Sequence, residues 1–175
     1  NSTQNISLNY QLNEKFSVSG SVELTNSTGL ESNSSNLNTE IEDFSSTFYE
    51  VGMNFIKLNS KQGFVEDTFL SITGGIGERQ STSNSEQYRL TLRGQHQISL
   101  DNRNKIFVNL NSQVLFSDNY LNNELFRFGG VNSIRGFAEN SLFANRFVVL
   151  QTEYRYLLDA NLFANTVIDI GNYEN

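Results

Sequence analysis

The sequence has no cysteine, no proline and no tryptophan among its 175 residues, and His96 is its one histidine. The missing cysteines exclude disulfides, thiol catalysis and thiolate metal sites. No run reaches the eighteen or so apolar residues that a membrane helix needs, which excludes helical spanning. The net charge of −7 and the lack of any Lys/Arg block argue against a nucleic-acid partner.

Catalytic groupings are also missing. With one histidine, no cysteine and no tightly grouped acids, protease and lipase chemistry lack their residues, so we expect no enzyme, no cofactor and no metal. Strand parity places His96 on an apolar face, where we interpret it as an interfacial side chain. The Asx-rich stretches 101–104 and 118–123 are interpreted as turns whose side chains bond their own backbone. A calcium site in these stretches is the alternative.

The sequence does contain 14 Phe and 7 Tyr, although its hydrophobic fraction is only 37%. Apolar and polar residues alternate with a period of two, which predicts antiparallel β-strands. The clearest case is 88–100, where Tyr88, Leu90 and Leu92 alternate with Arg89 and Arg93. We predict eight strands, at 6–12, 16–25, 49–58, 68–77, 88–100, 106–116, 147–158 and 162–171.

Alternation also occurs in soluble sandwiches, so other features are needed to identify a membrane barrel. The predicted strands are long enough for a tilted crossing, and their polar faces carry large groups such as Arg89 and Arg93. Short connections at 13–15, 101–105 and 159–161 contrast with long ones at 26–47 and 118–146, whereas 59–67 and 78–86 are intermediate. These features favour an all-β, antiparallel transmembrane barrel. A soluble lipocalin-like binder would instead need apolar residues inside.

The stretch Phe126-Arg-Phe-Gly-Gly-Val-Asn-Ser-Ile-Arg-Gly-Phe137 lies inside the longest predicted connection. Gly129, Gly130 and Gly136 allow backbone angles that other residues avoid. They place Arg135 on a tight tip between the apolar residues Ile134 and Phe137. So many apolar residues in one loop indicate a segment that folds back and packs against the rest of the protein.

This stretch resembles the (V/I/L)RG(F/Y) signature of the Omp85 superfamily, the outer-membrane barrels that insert other barrels or export proteins. Two further motifs of that family have similar counterparts here. Glu153 and Arg155 match its Glu-x-Arg, and Asp169 and Gly171 match its FxDxG, with Val167 in place of the usual Phe. The resemblance implies that Arg135 reaches down the lumen and pairs with Glu153 and Asp169. Arg155 and Gly171 are implied to support this contact.

Alignment with the family implies that residues 1–175 are part of one barrel domain, about strands 6 to 13 of 16. We expect the remaining strands and the periplasmic POTRA domains to lie outside this sequence. The implied protein is integral to the outer membrane of a Gram-negative-type cell. Its expected partners are lipid, β-rich polypeptide substrates and accessory assembly subunits.

The family resemblance leaves two alternatives open. The first is a passive porin or structural barrel, in which the loop merely constricts the pore. A loop lying on the last two strands favours assembly or secretion, whereas a loop crossing to other strands favours the porin. The second alternative is that Glu153 pairs with Arg155 or Arg89 as ordinary charge balance.

Overall fold

The computed structural model describes residues 2–28, 42–61, 64–159 and 162–175, with the backbone alone for 58–61 and 64–67. All regular structure in these ranges is β-structure. None of the described residues forms a helix of the length and apolar character that a membrane crossing requires.

Eight strands form one antiparallel sheet in the order β1-β2-β3-β4-β5-β6-β9-β10. Neighbours in the sheet are also neighbours in sequence, apart from the step from β6 to β9. Within the described residues β1 and β10 do not pair with each other, so the sheet is open. The strands are β1 Ser2–Gln11, β2 Phe16–Ser27, β3 Phe44–Lys61, β4 Phe64–Gln80, β5 Ser85–Ser99, β6 Asn104–Ser117, β9 Arg146–Asp159 and β10 Leu162–Glu174.

All eight predicted strands are present, and each is longer than predicted, β3 and β4 by the most. Segments 59–67 and 78–86, predicted as connections, belong mostly to paired strands. Stretches such as Ile56-Lys57-Leu58 interrupt the alternation, so the period-two pattern hid these strand ends. At one end of the sheet, named the turn end, consecutive strands are joined by two to four residues, at 12–15, 62–63, 100–103 and 160–161. The other, the loop end, has connections at 28–43, 81–84 and 118–145.

The exposure of the two faces is the reverse of that in a typical soluble protein, whose apolar face is buried and whose polar face is exposed. Large apolar side chains such as Tyr88 and Leu90 are exposed, at 51% and 43%. The opposite face is largely polar, yet Arg79, Gln87 and Gln151 on it are buried. The predicted parity therefore holds in β5 and β9.

Part of the polar face is covered, because the sheet curves toward it and the segment between β6 and β9 lies on it. Arg89 on β5 reaches Glu23 on β2, with an Nη1–Oε1 distance of 2.8 Å. These strands are three positions apart, about 14 Å in a flat sheet, which indicates curvature toward this face. Two short strands that the sequence pattern did not predict, β7 Phe126–Phe128 and β8 Leu142–Ala144, pair within the covering segment.

Candidate functional site

The 118–145 segment folds into a turn at its double glycine. Gly129, Gly130 and Gly136 have φ angles of +116°, +92° and +94°, the region that side chains disfavour. At Gly129 a Cβ atom would also lie 2.6 Å from the carbonyl oxygen of Ala138. These glycines therefore have the backbone role that the sequence indicated, and they bring Ile134 and Arg135 back onto the sheet.

Arg135 contacts both acids with which the family resemblance paired it. Its Nη1 donates to Glu153 Oε1 at 2.5 Å, and its Nε donates to Asp169 Oδ2 at 2.8 Å. Nη2 donates to Asp169 Oδ1, so the Asp169 contact is bidentate. The backbone N–H of Arg135 also donates to Asp169 Oδ2, at 2.8 Å. The side chains of Arg135, Glu153 and Asp169 are 22%, 14% and 7% exposed.

Strand pairing places the two acids for this contact. Glu153 on β9 pairs with Val167 on β10, and Asp169 lies two residues further along β10 on the same face. The hydrogen bonds from Arg135 to Asp169 and Glu153 raise the pKa of the guanidinium above its ordinary value, despite some desolvation. Arg135 therefore stays charged, and its planar fork suits two carboxylates.

Glu153 also pairs with Arg155, as the charge-balance alternative expected. Arg155 Nε and Nη2 donate to Glu153 Oε2 at 2.8 and 2.7 Å, and the guanidinium lies 4.4 Å from the centre of the Phe107 ring. Arg155 therefore orients the carboxylate that Arg135 contacts. Arg89 does not contact Glu153 but pairs with Glu23 and Glu50.

The apolar contact beside Arg135 is made by Ile134. A Cβ atom on Gly171 would lie only 3.0 Å from Ile134 Cδ1, so the missing side chain of Gly171 leaves room for Ile134. Phe137, predicted to pack beside the arginine, is 49% exposed.

A small apolar core joins the segment to β9. Its buried residues are Phe128, Ala144, Phe147 and Val149, with Ile134 packed against them. The Phe128 and Phe147 rings are stacked, with 4.4 Å between their centres. Burial of Phe128, Phe147 and Val149, which stabilises by about 2 kcal/mol each, helps to hold the segment independently of its charges.

A second charged contact, which the sequence did not reveal, anchors the start of the segment. Arg79 at the end of β4 is fully buried, and its Nη1 lies 2.7 Å from Glu124 Oε1. It also donates to the backbone oxygen of Asn119 at 3.2 Å and to the Asn119 side chain. Gln87 donates to the other oxygen of Glu124 at 3.0 Å. Residues 78–86 were interpreted as a connection, so the sequence pattern did not predict that Arg79 lies on the polar face.

The two Asx-rich stretches differ. Asp101 Oδ1 accepts the backbone N–H groups of Arg103 and Asn104 at 2.7 and 2.8 Å, which confirms a turn. The hydrogen bond from the Arg103 N–H, followed by those from the Asn104 side chain and N–H, lowers the pKa of Asp101. In 118–123 the chain also turns, with the Glu124 N–H donating to the Leu121 carbonyl at 3.0 Å. Two of the Asx side chains there bind other segments, since Asn119 contacts Arg79 and Asn123 donates to Ser27 at 2.8 Å. No group of three or more acids or histidines that could hold a metal occurs among the described residues.

His96 is exposed, and its Nδ1 lies 2.8 Å from Thr68 Oγ1 on the neighbouring strand.

The chain matches none of the known family models and none of the curated proteins.

Proposed function

We propose that this chain is part of an Omp85-type outer-membrane barrel that inserts or exports β-rich polypeptides, with segment 118–145 docked on its lumen face. The observation that carries the proposal is the contact of Arg135 with both Glu153 and Asp169. Each residue belongs to a different motif of the resemblance, and the three come together on one face. An arginine held by two acids, and accompanied by Ile134 against Gly171, is a specific way to attach a loop to a wall.

The exposed apolar face supports a membrane setting. In β5 this face runs from Tyr88 to Ile98, about 34 Å along the strand at about 3.4 Å per residue. A strand tilt of about 40° would reduce this to about 26 Å, close to the apolar band of about 25 Å in outer-membrane barrels.

The loop end of this face has the side chains that a membrane boundary needs. Tyr49, Ile76 and Tyr88 lie side by side across β3, β4 and β5. One row closer to the loops, Glu78 and Glu86 stand opposite each other. A change from aromatic to acidic residues is typical of the level at which barrel strands leave the apolar layer.

In the proposed mechanism no covalent bond is made. The docked segment stiffens the barrel wall, while substrate strands pair with an exposed strand edge, so that main-chain hydrogen bonds guide the substrate into the membrane. The residues of this chain contribute the stiffening: Arg135 connects β9 and β10 through Glu153 and Asp169.

A passive pore remains the second candidate, because the first part of the segment crosses to other strands. Arg79 on β4 holds Glu124, and Asn123 reaches Ser27 on β2. A segment spread over the polar face from β2 to β10 would narrow a channel, as a porin constriction does.

The proposal is tested with the full-length protein reconstituted into lipid vesicles and given an unfolded β-barrel protein as substrate. We expect the native protein to accelerate insertion of the substrate, measured as protease-resistant, heat-modifiable product. Arg135→Ala should lower this rate strongly. Arg127→Ala is the matched control, since Arg127 lies in the same segment, is exposed, and has its guanidinium over the Phe143 ring, 4.9 Å from the ring centre. Solute flux without faster insertion would reject the proposal in favour of the porin.

A further inference from the structure

One hairpin of the sheet extends past its neighbours at the turn end. β3 and β4 stay paired with each other to their ends. The pairing of β3 with β2 stops at Phe55, and that of β4 with β5 stops at Thr68. Among the described residues, 57–61 and 64–67 therefore pair only with each other, and they are named the β3–β4 tip. At about 3.4 Å per residue the β3 part of the tip is about 17 Å long, so it projects beyond the neighbouring turn.

β3 has a free main-chain edge along this tip. The Ile56 N–H points toward β2, where it donates to the Lys15 carbonyl at 2.9 Å. Alternate residues of a regular strand direct their N–H and C=O groups the same way, so those of Leu58 and Ser60 point to this side as well. No strand of the described residues pairs with them there. The edge therefore offers donors and acceptors to an added strand.

An exposed apolar pair lies at the base of the tip. Ile56 stands opposite Phe69 across β3 and β4. Ile56 is 44% exposed, and Phe69 is partly exposed. Ile56 is six residues from Glu50, so strand parity places the pair on the polar face. An apolar contact is therefore available beside the free edge, on a face that is otherwise largely polar.

Exposed cations flank the same edge. Lys15 lies in the turn beside Ile56, Lys57 is the first residue of the tip, and both are exposed. Opposite charges on neighbouring strands stabilise their pairing, whereas like charges weaken it. A strand with acids among its apolar residues fits this edge better than a second copy of the tip, which would bring the same lysines.

We infer that the free edge of the β3–β4 tip is a docking site for an extended polypeptide segment in which apolar side chains alternate with polar and acidic ones. The segment adds a strand beside β3 through the main chain of Leu58 and Ser60, and its apolar side chains contact Ile56 and Phe69. Unfolded β-rich substrates have this alternation, so the site collects them at the turn end before they enter the membrane. The identity of the occupant as substrate rests on the proposed function, whereas the docking does not.

Two fluorescent synthetic peptides test the site on the full-length protein in lipid nanodiscs, which leave both ends accessible. In the first, valine and phenylalanine alternate with threonine and glutamate, and the second groups the same apolar residues together. We expect the alternating peptide to bind roughly tenfold more tightly. It should also slow amide hydrogen exchange in 57–61 but not in the turn at 100–103. Equal affinities, or unchanged exchange in 57–61, would overturn the docking site.

Ser60→Pro removes the N–H that points to the free side, and proline is tolerated on a strand edge because no ladder bond is lost. The affinity for the alternating peptide should fall roughly tenfold, since the bond is lost and the ring blocks close pairing. Ser60→Ala is the matched control, which keeps the N–H and should bind as the native protein does. Equal binding by the two folded variants would show that the edge is not used.

If Ser60→Pro fails to fold, Ile56→Asn replaces it and tests the apolar contact. The alternating peptide should then bind several-fold more weakly, and an unchanged affinity would overturn the site.

A second copy of the chain is the other occupant to distinguish. The chain has no native cysteine, so Lys61→Cys provides a single thiol on the tip. We expect it to form a disulfide with an alternating peptide that carries a terminal cysteine. A disulfide-linked dimer of the protein in preference to peptide capture would assign the edge to a second copy and overturn the inference.

The insertion assay separates this inference from the proposed function. Ser60→Pro should raise the substrate concentration that gives half the maximal insertion rate and leave the maximal rate unchanged. Normal insertion without peptide docking would reject the docking site alone. Peptide docking without any insertion would reject the proposed function and leave the docking site in place.

Discussion

At the residue scale, the geometry of Arg135 requires a guanidinium rather than any positive charge. Its fork serves Asp169 with two nitrogens and Glu153 with a third. A lysine would keep the charge but could not contact both acids with the same set of planar donors.

Arg135→Lys should therefore retain part of the docking, and Arg135→Ala should lose it at a cost on the order of 2 kcal/mol, since these side chains are only partly buried. Limited proteolysis within 129–140 of the folded protein measures the effect, with cleavage expected to increase from native to lysine to alanine. If the Arg135→Lys variant and the native protein were cleaved at the same rate, the planar guanidinium would have no special role.

Gly171 is the other residue whose identity the packing decides. An alanine there would place its Cβ 3.0 Å from Ile134 Cδ1 and 3.6 Å from Val149 Cγ2, so the isoleucine would have to move.

We expect Gly171→Ala to destabilise the docked segment by about 1–3 kcal/mol through overpacking. Gly20→Ala on β2 is the control, because no atom lies within 4 Å of its added Cβ. Urea unfolding of the segment, followed by a fluorophore attached at an exposed loop position, gives the two values. A loss for Gly20→Ala as large as that for Gly171→Ala would show that Ile134 is not the cause.

At the scale of single elements, β5 offers a test of which face meets lipid. Leu90 lies on the exposed apolar face, whereas Thr91 lies on the polar face with Arg89 and Arg93.

A lipid-soluble thiol reagent should label Leu90→Cys and Leu92→Cys and spare Thr91→Cys in reconstituted protein. A charged aqueous reagent should not label Leu90→Cys or Leu92→Cys. A reversed pattern would mean that the faces are exchanged, since a one-residue slip in register turns every side chain over.

The strands could be predicted from the sequence because their faces alternate, and β5 and β9 show this most clearly. The contacts between elements could not be predicted in the same way. Arg79 and Glu124 are 45 residues apart, and no local period relates the end of a strand to a turn of the distant segment. The short strands β7 and β8 were missed because three residues contain too little alternation to stand out. For the Arg135 contact, strand parity predicted only that Glu153 and Asp169 lie on one face, and the motif resemblance paired them with the arginine.

At the scale of the whole molecule, the distribution of polarity predicts how the chain folds. The described residues bury Arg79, Gln87 and Lys105 while exposing Ile72, Ile76 and other large apolar side chains. Exposed apolar area costs about 25 cal/mol per Å² in water, so this distribution supports the proposed membrane setting.

The protein diluted from urea should thus regain its β-sheet circular dichroism and heat-modifiable gel mobility in lipid vesicles, and aggregate in buffer without lipid or detergent. A monodisperse, folded monomer in plain buffer would contradict the membrane setting.

The Arg135 contact has a further consequence for how β10 joins the sheet. Glu153 and Asp169 meet the same guanidinium only because Val167 pairs with Glu153. A slip of β10 by one residue would turn Asp169 to the other face, and a slip by two would displace it by about 7 Å, beyond the reach of the fork. The Arg135 contact therefore stabilises one register of β9 and β10. In that register the segment docks, whereas a misaligned β10 lacks this contact and can separate and pair again.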